Sequence, residues 1–188
     1  MTELINQKLG AYLDQVSAKK STPGGGAVAA VMAAEACALM NMVANFTKGD
    51  EFSDVVTETT QTMERLMGEA EADQEAFKSV MKAYRSEGEM TPALIGAAEV
   101  PARIIDLCVS RLDHLELLAT KGNSNLISDI AIAALLFDAA IKSSELNVMI
   151  NIRELDEPPA KIASALKGLP AATTRLQYIV STIRTGLQ

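Results

Sequence analysis

The sequence predicts an all-α domain, because apolar residues recur at helical spacing along nearly the whole chain. No segment alternates apolar and polar residues for long enough to indicate a strand. Aromatic residues make up only 4% of the 188 residues and Trp is missing, so the core must be aliphatic and must use the nine Met. A chain of this length predicts one domain, which we take as 1–188.

The first three predicted helices are 2–18, 25–47 and 53–87, and each ends near a turn that contains Gly or Ser. The second follows a proline and three glycines, and it consists largely of alanine. The third has the clearest inner stripe, with steps of three and four residues, and this stripe includes Asp73.

The last three predicted helices are also bounded by capping residues, Gly or Pro. The fourth, 91–121, begins with a Thr-Pro pair and is expected to bend near Pro101. The fifth, 126–155, ends before two prolines, and the sixth, 171–185, begins after Pro170. Together these elements predict a bundle of five to six long helices.

The length of these helices suggests a second copy of the chain. A helix of 30 residues spans about 45 Å, which is roughly the width of a compact domain of this size. Part of each long helix would therefore project beyond a single bundle. We expect a homodimer.

Composition and charge narrow the class of function. The net charge is -7 and no run of Lys or Arg exceeds a pair, so a nucleic-acid partner is not expected. The first twenty residues lack the pattern of a signal peptide, and two separate cysteines lie in apolar segments, which predicts a cytoplasmic protein with buried thiols. Residues 24–47 raise the alternative of membrane insertion. Their alanine content favours packing against other helices, and no membrane partner is expected.

Polar side chains at inner helix positions are the candidates for a site. Asp73 lies on the inner stripe of the third helix, where it could cap or pair with another helix or could serve a site. At 100° per residue, Asp129, Ser144, Asn147 and Asn151 lie on the side of the fifth helix opposite its charged face. These side chains form either an interhelical network or the lining of a wet pocket.

Metal and nucleotide chemistries are not predicted. The chain has one histidine, His114, and no acid-x-x-His pair, so a di-iron or zinc site would be short of ligands. The three glycines are not preceded by a predicted strand or followed by Gly-Lys-Ser, which excludes the common nucleotide-binding fingerprints.

Several short segments, taken together, carry a resemblance to a known family. They are STPGGG at 21–26, MVANFT at 42–47, Asp73 with EAF at 75–77, EVP at 99–101, GNSN at 122–125, SD at 128–129, NV at 147–148 and IN at 150–151. In this order and spacing, over about residues 20–155, the chain resembles the formiminotetrahydrofolate cyclodeaminase and methenyltetrahydrofolate cyclohydrolase family.

The resemblance implies an all-helical, intertwined homodimer that acts on a tetrahydrofolate derivative, with no metal and no tightly bound cofactor. A cyclohydrolase opens 5,10-methenyltetrahydrofolate to 10-formyltetrahydrofolate; a cyclodeaminase instead closes 5-formiminotetrahydrofolate to the methenyl compound and releases ammonia. The first activity is favoured, because the chain carries no formiminotransferase half. A non-catalytic folate-binding or scaffold dimer is the alternative of another class, since Ala27 replaces an expected Ser and residues 48–52 are more acidic than expected.

The resemblance also implies the site residues. Asp129, first, and Asp73, second, are the expected catalytic carboxylates, which would stabilise the folate cation and move protons. The glycines at the N-terminus of the second helix would favour the anionic tail of the substrate, with Lys48 and Arg103 as local bases. The complete set expected to bind substrate is Thr22, Pro23, Gly24, Gly25, Gly26, Asn45, Lys48, Arg103, Asn123, Ser128, Asn147 and Asn151.

Overall fold

The computed structural model describes residues 4–85, 89–153, 155 and 157–188, and these ranges contain helices and no strand. The α-helices in chain order are α1 (Leu9–Ser17), α2 (Gly25–Asn45), α3 (Phe52–Arg85), α4 (Met90–Val109), α5 (Leu112–Lys121), α6 (Ile127–Ile152) and α7 (Ala160–Gly186). Short 3-10 helices occupy Leu4–Asn6 and Ser124–Leu126. The prediction of an all-α bundle is confirmed.

The first helix, predicted over 2–18, begins only at Leu9, after the 3-10 helix Leu4–Asn6. Two further predicted boundaries are wrong, and both involve proline. The fourth predicted helix divides into α4 and α5 at Ser110 and Arg111, whereas Pro101 lies buried inside α4. The sixth begins at Ala160, and Pro170 lies within it. A proline inside a helix costs about 3 kcal/mol. In α7 an apolar stripe continues on both sides of Pro170, and its burial offsets that cost.

Helix α2 is the centre of the bundle and packs mainly against α3 and α6. Its alanines at 27, 29, 30, 33 and 36 are fully buried. Small side chains let neighbouring helix backbones come close, which explains why a core helix of this protein is rich in alanine. By length and composition alone, Gly25–Asn45 and Ser124–Ile152 could each cross a membrane. More than half of the first is buried within the bundle, as a central helix would be.

The inner stripe of α3 follows the prediction only along part of its length. Leu66 and Ala70 are fully buried, but Phe77 and Tyr84 are exposed. A helix of this length, 34 residues, extends for about 50 Å. The C-terminal part of α3 therefore projects past the core, and Asp73 lies where the helix leaves it.

Ion pairs fix the outer helices to one another. Arg103 on α4 donates two hydrogen bonds to Glu69 on α3, at 2.8 and 2.7 Å. Arg175 on α7 binds Glu116 on α5 at 2.7 Å. Both cysteines are buried and free, as predicted, and burial raises the pKa of the Cys37 thiol to about 12.

Candidate functional site

The candidate site begins at the N-terminus of α2, where Gly24 is the N-cap residue and provides no side chain to cap the helix. The first N–H groups of a helix need acceptors from outside it. One acceptor comes from α3, because the Asp73 carboxylate accepts a hydrogen bond of 3.1 Å from the Ala27 N–H. Asp73 thus caps a neighbouring helix, which is one of the two roles that its position predicted.

Gly26 makes this approach of the carboxylate possible. A Cβ atom at position 26 would lie 2.0 Å from Asp73 Oδ1 and 2.4 Å from its Cγ. No side chain can be placed there unless the carboxylate moves. At Gly25 a Cβ atom would be 4.0 Å from the Asn147 amide, which is an ordinary contact. A side chain can therefore be accommodated at Gly25 but not at Gly26.

The position of Asp73 changes its acidity. Burial raises the pKa of the Asp73 carboxyl above its ordinary value, and the hydrogen bond from Ala27 opposes part of this change. The positive end of the α2 dipole also faces the carboxylate. Asp73 is therefore a fixed anion that accepts a proton more readily than an ordinary aspartate, as a general base must.

Asn147 of α6 lies next to Gly25, Asn151 follows it by one turn, and both amides are held in fixed orientations. Asn147 Nδ2 donates to the Ser143 carbonyl at 3.1 Å. Asn151 Nδ2 donates to the Asn147 carbonyl at 2.8 Å and to the Ala97 carbonyl of α4 at 3.3 Å. The Asn151 bond to α4 is part of an interhelical network, one of the two predicted roles. The nearby Ser144 hydroxyl is fully buried and has no hydrogen-bond partner among the described residues.

A hollow of about 630 Å³ lies beside the glycine segment, along the projecting part of α3. Phe77, one turn after Asp73, forms part of its wall, together with Ser21 from the segment that leads into α2. The remaining lining is largely basic and consists of Lys78, Met81, Lys82 and Arg85. None of these bases is among the predicted site residues, although steps of four residues from Lys78 to Lys82 and three from Lys82 to Arg85 place them on one helix face.

Apart from Arg103 on α4, the predicted site residues fall into two groups at opposite ends of α2. Thr22, Pro23, the glycines, Asp73, Asn147 and Asn151 lie at its N-terminal end. Asn45 is the last residue of α2, about 30 Å away for a helix of 21 residues, and Lys48, Asn123, Ser128 and Asp129 lie beyond that end.

Within one chain, Asp129 therefore does not meet Asp73. Asn123 links the segment before α6 to the residues that follow α2. Its Nδ2 donates to the Phe46 carbonyl at 3.0 Å, and its backbone N–H donates to the Thr47 hydroxyl at 3.0 Å. Arg103, expected to be near an anionic tail, has its guanidinium engaged by Glu69. The described residues contain no group of three or more His, Cys, Asp or Glu side chains placed to hold a metal ion.

Comparison with known proteins identifies the family of this fold and site. A model of the family described as formiminotransferase-cyclodeaminase matches residues 8–166. The methenyltetrahydrofolate cyclohydrolase of Methylorubrum extorquens is 33% identical over 171 residues, which cover 81% of this chain and 82% of that protein. The formimidoyltransferase-cyclodeaminase of Gallus gallus is 30% identical over 84% of this chain, which spans 33% of that longer protein.

A solved structure agrees with the sequence comparisons. The formiminotetrahydrofolate cyclodeaminase of Thermotoga maritima superimposes with a TM-score of 0.86 and 36% identity, covering 97% of this chain and 96% of the other. The match of a family model to most of the chain, and the likeness in sequence and structure over most of its length, lead to one conclusion: the chain belongs to the formiminotransferase-cyclodeaminase family.

Proposed function

We propose that the protein hydrolyses 5,10-methenyltetrahydrofolate to 10-formyltetrahydrofolate. The observation that carries the proposal is the half-buried Asp73 carboxylate, which is held against Gly26 and Ala27 with a raised pKa. The folate substrate is a cation delocalised over N5, the bridging carbon and N10. A fixed anion stabilises that charge, and the absence of a side chain at the exposed Gly25 leaves backbone surface open to a flat ring.

The reaction requires one group that takes and returns a proton. Asp73 accepts a proton from water while the water oxygen bonds to the bridging carbon, and a neutral tetrahedral intermediate forms. The bond from this carbon to N5 then breaks, and Asp73 returns the proton to N5. The hydroxyl loses its proton to solvent and leaves a formyl group on N10. The carboxylate finishes in its initial state, and the charge of the substrate cation leaves as one proton.

The second candidate function is the cyclodeaminase reaction, and the likeness to the Thermotoga maritima structure favours it. Here N10 bonds to the carbon of the protonated formimino group, and Asp73 takes the N10 proton. The same carboxyl then protonates the amino group, which leaves as ammonia and produces the methenyl cation. One base thus serves both reactions, because both pass through a tetrahedral carbon between two nitrogens.

The absorbance of methenyltetrahydrofolate in the near ultraviolet separates the two functions. Purified protein should speed the decay of this absorbance when methenyltetrahydrofolate is added. If the absorbance instead grows from 5-formiminotetrahydrofolate, with release of ammonia, the protein is a cyclodeaminase. Turnover of neither substrate, with folate still raising the melting temperature, would contradict both and identify a non-catalytic folate-binding protein.

The hollow beside α3 supports a place for the anionic tail of the substrate. The helix N-terminus expected to bind that tail is already capped by Asp73, so a second anion there would be repelled. Lys82 and Arg85 line the neighbouring hollow with positive charge, beside Lys78, which binds Glu75 at 2.6 Å. In this proposal the ring binds near Asp73 and the tail extends along α3.

A double substitution, Lys82→Gln with Arg85→Gln, should raise KM for a polyglutamylated substrate by about tenfold, which is the effect of losing about 1.4 kcal/mol of binding. The change in KM for the monoglutamate should be smaller, and kcat should stay the same, because these bases do not touch the reacting atoms. Steady-state kinetics with both substrates measures the difference. Lys167→Gln, an exposed lysine on α7, is the matched control. Equal effects on both substrates would contradict this place for the tail.

We further propose that the protein works as a homodimer. Only a third of the most apolar window of Ser124–Ile152 is buried, and several large apolar side chains of α6 are exposed. A second copy of the chain would cover them.

A further inference from the structure

Pro101 removes one backbone hydrogen bond from the middle of α4. A helical N–H donates to the carbonyl four residues earlier, and proline has no N–H, so the Ala97 carbonyl loses its partner within the helix. The proline ring also pushes this carbonyl away from its position in a regular helix. Ala97 is buried, with 8% of its surface exposed. Its carbonyl therefore needs a donor from another element.

Asn151 of α6 supplies that donor. Its Nδ2 donates to the Ala97 carbonyl at 3.3 Å and to the Asn147 carbonyl at 2.8 Å. A side-chain amide nitrogen carries two hydrogens, and two carbonyls use both of them. The amide cannot be turned over, because Oδ1 would then face two carbonyl oxygens, which donate nothing. The proline of one helix thus helps to fix the orientation of an amide on another.

With its nitrogen engaged, Asn151 offers only an acceptor to a ligand. Its Oδ1 accepts no hydrogen bond from the described residues. Unlike the Ser144 hydroxyl, this oxygen is not among the fully buried atoms that have no partner, so it is accessible from outside the bundle. A ligand that binds beside it must therefore present a donor.

Asn147, one turn earlier, offers one donor and one acceptor. The Ser143 carbonyl takes one hydrogen of its Nδ2 at 3.1 Å, and the other hydrogen and Oδ1 have no partner among the described residues. Both polar atoms of this amide would lie 4.0 Å from a Cβ atom at Gly25, so the amide flanks the open surface of that glycine. The two asparagines together present two acceptors and one donor.

This set of groups complements the amino-oxo edge of a pterin ring. A tetrahydropterin carries in order a 2-amino group, an N3–H and a 4-oxo group, which are two donors and one acceptor. Asn151 Oδ1 would accept from the amino group, while Asn147 accepts from N3–H and donates to the oxo group. A ring without the amino group would leave the Asn151 oxygen unpaired, and sites built on hydrogen bonds reject such analogues.

We infer that Pro101 is a positioning residue for substrate specificity: through the Ala97 carbonyl it holds the Asn151 amide so that only Oδ1 faces the ligand, and this oxygen selects the 2-amino group of a pterin ring. The identity of the ring rests on the proposed function, whereas the fixed orientation of Asn151 does not. The amino-oxo edge lies on the far side of the ring from the bridging carbon. Pro101 and Asn151 therefore affect binding of the substrate and not the chemical step.

Pro101→Val tests the role of the missing N–H, because valine keeps an apolar side chain of similar volume and restores the donor. The amide at position 101 should bond to the Ala97 carbonyl and draw it back into the helix, which releases Asn151. The Kd for 5-formyltetrahydrofolate, measured by calorimetry, and the KM for methenyltetrahydrofolate should each rise about tenfold, with kcat unchanged. An unchanged Kd would overturn the inference.

Pro170→Val is the matched control, because Pro170 also lies inside a helix. The carbonyl that it frees belongs to Leu166, and no side chain of the described residues donates to it. This variant should leave both Kd and KM unchanged. A tenfold rise in Kd here as well would mean that loss of any helical proline weakens binding, which would contradict a specific role for Pro101.

A double-mutant cycle shows whether Pro101 acts through Asn151. Asn151→Ala should raise the Kd about tenfold, and Pro101→Val/Asn151→Ala should bind no more weakly than Asn151→Ala alone. Independent effects would instead multiply to about 100-fold and would overturn the inference. Thermal unfolding gives a readout without ligand. Pro101→Val should raise the melting temperature more in the Asn151→Ala background, where the Ala97 carbonyl has no other donor, than in the wild type.

A ligand that lacks the amino group tests the selectivity of Asn151. The wild type should bind the 2-desamino-2-methyl analogue of 5-formyltetrahydrofolate about tenfold more weakly than 5-formyltetrahydrofolate itself. Asn151→Ala and Pro101→Val should bind the two ligands about equally, and full discrimination by Asn151→Ala would refute the inference. A wild type that discriminates but converts neither folate substrate would refute the proposed activity and leave the inference supported. Failure of the wild type to bind 5-formyltetrahydrofolate would refute both.

Discussion

Replacing Gly26 with alanine should reduce kcat/KM by at least two orders of magnitude. The added Cβ would overlap the Asp73 carboxylate, at 2.0 Å from Oδ1, so either the carboxylate or the start of α2 must move. Misplacing a catalytic group by about 1 Å can cost about 100-fold in rate. Overpacking of this kind should also lower the free energy of unfolding by about 1–3 kcal/mol. Progress curves and chemical denaturation measure the two effects.

Two other glycines serve as controls for that result. Gly25→Ala adds a Cβ at an ordinary distance from Asn147, so the variant should fold with nearly wild-type stability. Gly68→Ala, on the exposed side of α3, meets nothing within 4 Å and should raise stability by up to about 1 kcal/mol with unchanged turnover. If Gly26→Ala behaved like Gly68→Ala, the close approach of Asp73 would have no role in the reaction.

Replacing Asp73 with asparagine should abolish most turnover and leave the fold intact. Removing a general base typically costs about 10²–10⁴ in rate. An asparagine oxygen can still accept the Ala27 N–H, so the cap on α2 is kept, whereas Asp73→Ala should also lose about 1 kcal/mol of stability. Single-turnover kinetics and thermal unfolding of both variants separate catalysis from capping. Asp54→Asn, an exposed acid in the first turn of α3, should retain wild-type turnover.

The raised pKa of Asp73 predicts how the difference in stability between the wild type and Asp73→Asn depends on pH. A carboxyl with a higher pKa in the folded state binds more protons there than in the unfolded state. The stability of the wild type relative to the variant should therefore fall as the pH rises from the ordinary aspartate pKa to the raised one, and stay constant above it. Turnover should change in the opposite direction and increase with pH across this range, because the ionised form is the base. A stability difference that rises with pH would contradict the assignment.

The sequence predicted the fold well where local pattern and packing agree. Helix α2 lies within two residues of its predicted range, since glycines bound it at the start and a small apolar face continues along it. The break near Ser110 could not be predicted, because nothing local marks it as strongly as Pro101, which tertiary packing holds inside α4. The predicted start of the last helix after Pro170 was wrong for the same reason, because burial of the apolar stripe of α7 outweighs the cost of a proline within the helix.

The site was predicted in parts and not in its arrangement. Periodicity showed that Asp73 and Asn147 point inward, but it could not show that α3 places the Asp73 carboxylate on the first turn of α2. That contact joins residues 46 positions apart and depends on how the helices cross. Periodicity also placed Asp129 and Asn147 on one face, and the length of α6 then separates them within a single chain.

The alanine core of α2 has a consequence for how the protein tolerates mutation. Alanine has no side-chain torsion that could rotate to relieve a change nearby, so a larger residue at Ala30 or Ala33 can be accommodated only if α3 or α6 moves as a rigid body. Movement of α3 shifts Asp73, and movement of α6 shifts Asn147. Substitutions at the alanines in the middle of the bundle are therefore coupled to the geometry of the candidate site, which lies more than a helical turn away. Even apolar substitutions at these alanines should be under strong purifying selection.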